Sequence, residues 1–394
     1  MTSDTKMPSL FSRIFFLTTL LFTCSYLIGC GQNSVHAPSP VATSTLSESI
    51  SNGNTQLGAP QIISLLVPLQ GPLSGVGQAV KQGFLAAAQA NQNKPQIIVI
   101  DTTKEATIQA AYDQALAQKT QFVVGPLLKP QVQTLAGLQL STPILALNYL
   151  NPDISTPPEL FQFGLSPLDE ARQAAQQAWK NGRRSALIMT LSDNWGAQIG
   201  QTFADEWKSL GGTVVDRLTL AQSSSALTRQ MSHFLQFKPP HDRRTDFDVI
   251  FLASNPKVGR QVIPLLKFYY AGDIPVYATA AIYTGLPNRR LDNDLNQVIF
   301  CSAPWTLGQN TPNPLLYEQL LLSANSPGFF RRHRSYYALG VDAFHITQQL
   351  AYLNQSSTQT LAGATGQLTL NDQRRIVRQL TCAQFNKGHV KLIN

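Results

Sequence analysis

The chain has 394 residues, of which 43% are hydrophobic and 13% charged, and its formal net charge at pH 7 is +8. This length allows two lobes with separate cores, and the composition is that of a folded protein. No basic run is long enough to indicate a nucleic-acid-binding arm, so we expect no nucleic-acid partner. Many of the basic residues form arginine pairs: Arg183-Arg184, Arg243-Arg244, Arg289-Arg290, Arg331-Arg332 and Arg374-Arg375. We expect these pairs to lie in solvent, with contact to an acidic protein or an anionic lipid surface as the alternative.

The first 29 residues have the pattern of an export signal, with basic residues ahead of a short apolar run at 14–22. This run is too short to span a bilayer as a retained helix. The segment Leu27-Ile28-Gly29-Cys30 resembles the lipobox of bacterial lipoproteins, in which the cysteine is acylated. The resemblance implies lipidation of Cys30, with an ordinary signal peptide as the alternative. Because residue 31 is Gly and not the Asp of inner-membrane retention, it also implies an anchor in outer-membrane lipid, on the periplasmic face.

Residues 30–59 carry one charged side chain, Glu48, and few large apolar ones. Such a segment cannot bury enough apolar surface to fold, so we predict a flexible tether that begins at the lipidated cysteine. Coil statistics give this tether a root-mean-square reach of about 30 Å. The sequence therefore predicts a folded body attached to the membrane through this tether.

From residue 61 onward, short apolar runs alternate with helical segments. The runs lie at 62–67, 97–100, 122–124 and 144–147, and then at 186–189, 213–218, 249–252, 276–277 and 298–301. A long helix at 335–352 and a hairpin across 377–393 complete the chain. This alternation indicates βαβ crossovers and parallel sheets covered on both faces. We predict an α/β fold of two doubly wound, Rossmann-like lobes with a cleft, lobe 1 from 60–166 plus 283–356 and lobe 2 from 167–282 plus 357–394.

Two cysteines remain once the signal and Cys30 are set aside. Cys301 and Cys382 each lie in an apolar, strand-like run, where buried free thiols are common, so free thiols are our expectation. A disulfide is the alternative, because an exported protein enters an oxidising compartment. No C-x-x-C pair and no Cys/His cluster indicates a metal site, so we expect no metal and no cofactor.

Loops that follow the strands should meet at the carboxyl edges of the two sheets, where helix N-termini can hold a polar ligand. The first such loop, 70–77, is rich in glycine but does not match the G-x-G-x-x-G dinucleotide pattern. We expect loops from both lobes to face each other across the cleft. The candidate cleft residues are Gln70, Gly71, Leu73, Ser74, Gly125, Pro126, Leu127, Asn148, Asp193, Asn194 and Trp195.

Two fragments resemble motifs of penicillin-binding enzymes and β-lactamases. Ser254-Asn255-Pro256-Lys257 matches S-x-x-K, and Ser192-Asp193-Asn194 matches S-D-N. Their order is the reverse of that in those enzymes, and no K-T-G follows. We therefore expect no catalytic residues and a protein that is not an enzyme.

Several segments together resemble the penicillin-binding protein activator family of lipoproteins, of the LpoA/LppC type. They are LLVPLQGPLSGVGQAVKQGFLAA, QFVVGPLLKPQVQTL, PILALNY, FGLSPLDEARQAA and LAGATGQLTLNDQRRIVRQLTCAQFNKG, spread over residues 60–394. The resemblance implies a type I periplasmic-binding-protein fold. It also implies an outer-membrane lipoprotein that binds and activates a class A penicillin-binding protein, a peptidoglycan synthase. Longer members carry a helical-repeat domain ahead of this one, and here residues 30–59 stand in its place.

The alternative function is a periplasmic solute-binding lipoprotein that captures an amino-acid-like small molecule between its lobes. Ser74 and Asp193 would then contact the ligand. Pro126-Leu127-Leu128 places bulk where amino-acid binders are expected to have small hydroxyl residues, which favours the activator. The sequence leaves open whether a small molecule enters the cleft.

Overall fold

The computed structural model describes residues 59–324 and 326–393. The expected signal, the acylated Cys30 and nearly all of the expected tether lie outside the described residues. In the described part of the chain, no helix is both long enough and apolar enough to cross a bilayer. Nor does that part bring together three or more His, Cys, Asp or Glu side chains that could hold a metal ion.

The first sheet has five parallel strands in the order β2-β1-β3-β4-β5. Its strands are β1 (Ile62–Val67), β2 (Gln96–Asp101), β3 (Phe122–Val124), β4 (Ile144–Ala146) and β5 (Leu160–Gln162). The helices between them are α1 (Ser74–Ala90), α2 (Ile108–Ala117) and α3 (Lys129–Ala136). Strands β3, β4 and β5 are wholly buried, which is why they appear in the sequence as continuous apolar runs. The predicted βαβ series is confirmed here.

The second lobe also alternates strands with helices. Its elements are α4 (Pro167–Lys180), β6 (Ser185–Thr190), α5 (Asn194–Ser209), β7 (Thr213–Thr219), α6 (Ser224–Phe234), β8 (Val249–Ala253), α7 (Pro256–Phe268), β9 (Val276–Ala278), α8 (Arg289–Asp292) and β10 (Ile299–Ser302). Side-chain oxygens of Asp193, Ser223 and Asn255 accept hydrogen bonds from backbone N–H groups in the first turns of α5, α6 and α7. These caps fix where each helix begins after its strand.

The chain then returns through α9 (Pro314–Ser323) and α10 (Pro327–Leu353). An antiparallel sheet follows, made of β11 (Leu361–Gly363), β12 (Gly366–Leu370) and β13 (Ile376–Gln379). A final hairpin, β14 (Thr381–Asn386) and β15 (His389–Leu392), extends the second sheet to seven strands in the order β15-β14-β10-β9-β8-β6-β7. The long helix therefore starts eight residues before the predicted 335, and the final hairpin is shorter than predicted.

The lobes exchange segments at other places than the sequence suggested. Strand β10 pairs with β9 and β14 in the second sheet, so the chain returns to the first lobe only after Ser302, not at 283. Leu368 and Ile376, on β12 and β13, belong to the core of the first lobe, which places 361–379 there and not in the second lobe. Three segments thus cross between the lobes: after β5, after β10 and between β13 and β14.

Helices α1 and α10 cross at very short range in the core of the first lobe. A Cβ atom on Gly340 of α10 would lie 2.8 Å from the Phe84 nitrogen of α1 and closer still to the Val80 carbonyl oxygen. On the other side of the contact, a Cβ on Gly83 would collide with the Tyr337 carbonyl. Glycine at both positions therefore lets the two backbones approach as closely as they do.

Cys301 and Cys382 form a disulfide, so the expectation of free thiols is wrong. Cys301 lies on β10 and Cys382 on β14, directly opposite each other in an antiparallel pair, with their Cα atoms 3.9 Å apart. Side chains that oppose each other on adjacent strands are within reach of one another. The bond joins the strand that precedes the second crossing to the strand that follows the third.

Candidate functional site

The first group of predicted cleft residues lies in the loop after β1. Gln70 is exposed and donates a hydrogen bond from its side chain to Asp101 Oδ2 at 3.2 Å. Gly71, with φ of +72°, opens a short 3-10 turn that ends at Leu73, and Ser74 begins α1. Leu73 is 37% exposed. The loop is therefore accessible at the carboxyl edge of the first sheet.

The second group lies after β3 and β4. Gly125 has φ of +99°, and a Cβ there would collide with the Leu66 carbonyl, so only glycine fits. The peptide between Gly125 and Pro126 is cis. Asn148 donates from Nδ2 to the Leu127 carbonyl at 2.9 Å, which holds these two loops together. Leu127 itself is 9% exposed and packs in the core of the first lobe, so its side chain is a core contact and not a cleft contact.

The third group lies at the start of α5 in the second lobe. Asp193 accepts a hydrogen bond from the Gly196 N–H at 2.7 Å and so acts as the helix cap. Trp195 packs, partly buried, against the core of this lobe. Asp193 and Asn194 line a cavity of about 400 Å³ together with Arg217. All of its lining residues come from the second lobe, so this cavity is not shared with the loops of the first.

A cavity of about 260 Å³ lies where the three crossings meet. Its lining residues include Leu165, Glu170, Tyr283, Thr306, Arg334 and Arg378. They come from the first crossing, from α4, from the loop after β9, from the second crossing, from α10 and from β13. Both lobes therefore contribute to this cavity, and none of these six belongs to the predicted cleft set.

Side chains tie the crossings to one another beside this cavity. The Tyr149 hydroxyl lies 3.2 Å from the carbonyl oxygens of both Gly164, in the first crossing, and Ile376, which leads to the third. From the second lobe, Gln173 donates to the Leu380 carbonyl at 2.8 Å and accepts from the Leu380 N–H at 2.9 Å. The crossings are therefore fastened to both lobes.

Two carboxyl groups near the crossings have raised pKa values. Burial raises the pKa of Glu170 to about 7, opposed by the charge of Arg378 and by the Ala280 N–H, which donates to Glu170 Oε2 at 2.9 Å. Burial likewise raises the pKa of Asp342, on α10, to about 6. Asp342 is fully buried and accepts hydrogen bonds from the turn between β11 and β12. Both groups hold their proton more tightly than carboxyls in water do.

Arg378 could have been recognised from the sequence as a buried charge. On β13 the residues alternate between buried and exposed, and Arg378 falls on the buried face with Ile376. A charged residue at an inward position of an alternating strand indicates a buried charge, which is rare without a partner or a function. Arg334 gave no comparable signal, since it stands in a helix among other basic residues.

The first sheet is parallel, and the second is parallel except for its final hairpin. These two doubly wound sheets, joined by three crossings with a cavity beside them, define the class: a type I periplasmic-binding-protein-like fold. A solved structure described as an ABC transporter substrate-binding protein from Sphaerobacter thermophilus has this fold, with a TM-score of 0.59 at 14% identity over 84% of this chain and 96% of that one. The LpoA C-domain from Haemophilus influenzae gives a TM-score of 0.70 at 24% identity, over 84% of this chain and all of that one.

The family model described as "LppC putative lipoprotein" matches residues 37–388, and the chain belongs to that family. The penicillin-binding protein activator LpoA of Edwardsiella piscicida is 28% identical over 326 residues, which cover 75% of this chain and 46% of that protein. The chain spans about half the length of the curated relatives it matches. The family resemblance and fold expected from the sequence are confirmed.

Proposed function

We propose that this chain is an outer-membrane lipoprotein that binds a class A penicillin-binding protein and activates its synthesis of peptidoglycan, without itself catalysing a reaction. The likeness to the Haemophilus influenzae LpoA C-domain carries the proposal, because that chain, described as a regulator of PBP1A, is covered along its whole length. Relatives named as penicillin-binding protein activators support the same function. Anchoring through an acylated Cys30 belongs to the proposal and is supported by the lipoprotein family.

Activation in this proposal is a difference in binding free energy. A regulator raises the rate of an enzyme only if it binds the active conformation more tightly than the resting one. A tenfold rise in the population of the active state needs about 1.4 kcal/mol of such preference.

The surroundings of the arginine pairs show which of them are available to contact the synthase. Arg243 bonds Asp273 and Arg244 bonds Asp216 and Asp246, so this pair is engaged within the chain and does not lie free in solvent as expected. Arg184 stacks on Trp179, and Arg374 and Arg375 lie over Phe161 and Tyr149, as the cation–π contacts show. By contrast, both residues of the pairs Arg289-Arg290 and Arg331-Arg332 are exposed, and within residues 59–324 and 326–393 their side chains have no hydrogen bond or ion pair.

Arginine side chains of this kind suit an acidic surface on the synthase. We assign the contact to Arg331 and Arg332, at the start of α10 beside the cavity at the crossings. The pair Arg289-Arg290 at α8 supplies a comparison elsewhere on the body.

The test measures binding and glycan polymerisation together. The full chain in detergent is mixed with a class A synthase, and the rate of lipid II polymerisation is recorded with and without it. We expect saturable binding and a faster rate with the wild-type chain. The double variant that carries both Arg331→Glu and Arg332→Glu should bind the synthase about tenfold or more weakly, because it sets carboxylates against an acidic surface.

The matched control is Lys104→Glu with Lys129→Glu, an equal change of charge at two exposed lysines of the first lobe. It should leave binding close to wild type. No binding and no change in polymerisation by the wild-type chain would refute the proposed function. Equal losses in both double variants would refute the assigned surface while leaving the function standing.

A further inference from the structure

The cavity at the crossings contains two buried guanidinium groups. Arg378 of β13 is 5% exposed and Arg334 of α10 is 7% exposed, and both line the cavity. Within the described residues, Nε and Nη2 of Arg378 and Nε of Arg334 have no hydrogen-bond partner. The buried Thr306 hydroxyl, in the same lining, also has none among those residues. Unpartnered donors of this kind are rare in folded proteins, because each costs free energy when it is taken out of water.

The carboxylates near this cavity make no direct contact with these arginines among the described residues. Within residues 59–324 and 326–393, no carboxylate forms an ion pair with Arg378 or Arg334. Glu170 directs one carboxyl oxygen to the Ala280 N–H. Both oxygens of Asp342 accept hydrogen bonds from the turn between β11 and β12. Each acid is thus held by other donors, and neither forms an ion pair with Arg378, although the charge of Arg378 lies close enough to lower the pKa of both.

The charged residues that line the cavity are mostly basic. The lining contains four arginines, including the exposed Arg331 and Arg332 at its edge, and one acidic residue, Glu170. Arg334 already donates to the Gly285 carbonyl and to the Tyr317 hydroxyl, so it is fixed in place. Arg378 has no such bond to another described residue through its buried nitrogens and is the group best placed to receive a ligand.

We propose that this cavity binds a small anion through a carboxylate or phosphate group, with Arg378 as its main ligand and Arg334 and Thr306 as further donors. A guanidinium presents parallel N–H donors that match both kinds of oxyanion. About 260 Å³ has room for roughly nine waters at about 30 Å³ each, which suits a small organic acid or phosphate. The named donors lie on the first lobe and on the second crossing, whereas Glu170 and Tyr283 of the second lobe line the same cavity, so the bound anion lies between the two lobes.

The test uses inorganic phosphate and acetate as separate probes, with the full chain in detergent and with ionic strength held constant by chloride. Isothermal titration calorimetry and thermal unfolding record binding. We expect saturable binding of at least one probe, and the probe that binds more tightly distinguishes phosphate from carboxylate as the ligand chemistry. Arg378→Gln should weaken that binding about tenfold or more. Arg375→Gln, an equal loss of charge at a residue outside this cavity, should leave it unchanged.

Arg378→Lys keeps the experiment decisive if the glutamine variant does not fold. It retains the charge and loses the planar fork, so it should bind either probe more weakly than wild type but better than a neutral residue. Absence of saturable binding by both probes, or equal affinities in the wild type and both Arg378 variants, would overturn the inference. No synthase is present in these titrations, so their outcome is independent of the proposed function.

Discussion

The crossing of α1 and α10 gives the sharpest stability prediction, the effect of Gly340→Ala. The added methyl would lie 2.8 Å from the Phe84 nitrogen and nearer to the Val80 carbonyl, where backbone atoms cannot rotate away. The helices must therefore separate by about 1 Å, which loosens the packing of the fully buried Phe84 and Tyr337. Overpacking of this kind costs about 1–3 kcal/mol, against about 1 kcal/mol gained in helix propensity. We expect a net loss of up to about 2 kcal/mol.

The same helix supplies the control. A Cβ on Gly328 would meet the Arg332 guanidinium at 3.6 Å and the Ser326 hydroxyl at 3.9 Å, both ordinary contact distances, so Gly328→Ala gains propensity without a collision. Urea unfolding followed by circular dichroism compares the two variants with the wild type. Gly340→Ala should unfold at a lower urea concentration, and Gly328→Ala at the wild-type concentration or a higher one. Equal midpoints for the two variants would refute the close crossing of the helices.

Two further predictions concern the buried acids and the disulfide. The folded-state pKa values of Glu170 and Asp342, about 7 and about 6, lie above those of the unfolded chain. Between about pH 4 and pH 7 the folded state thus binds more protons than the unfolded state. The free energy of unfolding should therefore decrease as the pH rises through that window, by up to about 3 kcal/mol for each group. Urea unfolding at pH 5 and pH 8 checks this, and greater stability at pH 8 would contradict it. Replacing Cys301 and Cys382, 81 residues apart, by serine should cost up to about 4.5 kcal/mol by loop entropy. A thermal midpoint unchanged from the oxidised wild type would argue against that bond.

The strands of the first lobe could be predicted because they are buried on both faces. A strand such as β1, whose residues are almost all apolar, stands out between a glycine-rich loop and a helical segment. The limits of the lobes could not be predicted in the same way. Strand β11 has three residues, and the third crossing leaves a single residue, Leu380, between β13 and β14. Segments this short carry no periodicity that would separate a crossing from an ordinary loop.

Part of the candidate site could likewise be predicted from the sequence and part could not. The loops after β1 and β3 lie at the carboxyl edge of the first sheet, and glycine and proline mark them as loops in the sequence. The sequence of a loop does not show whether a side chain points into the core or into the cleft. Leu127 was therefore predicted to lie in the cleft, although its side chain lies in the core of the first lobe. The cavity at the crossings joins Glu170 to Arg378, which are far apart in the chain. Only the tertiary fold brings them together, and the same reason hid the disulfide.

The interleaved lobes also determine the order in which the protein can mature. Ile63 of β1 and Ile376 of β13 belong to one apolar cluster, so the first lobe lacks part of its core until nearly the whole chain has been made. The second lobe, by contrast, has all but its final hairpin once Ser302 has emerged. The lobe that begins first therefore completes its core only after most of the second lobe has been made. A nascent chain that stops before β13 exposes the apolar surface that β12 and β13 would have covered, and such a fragment is a natural target for chaperones and proteases.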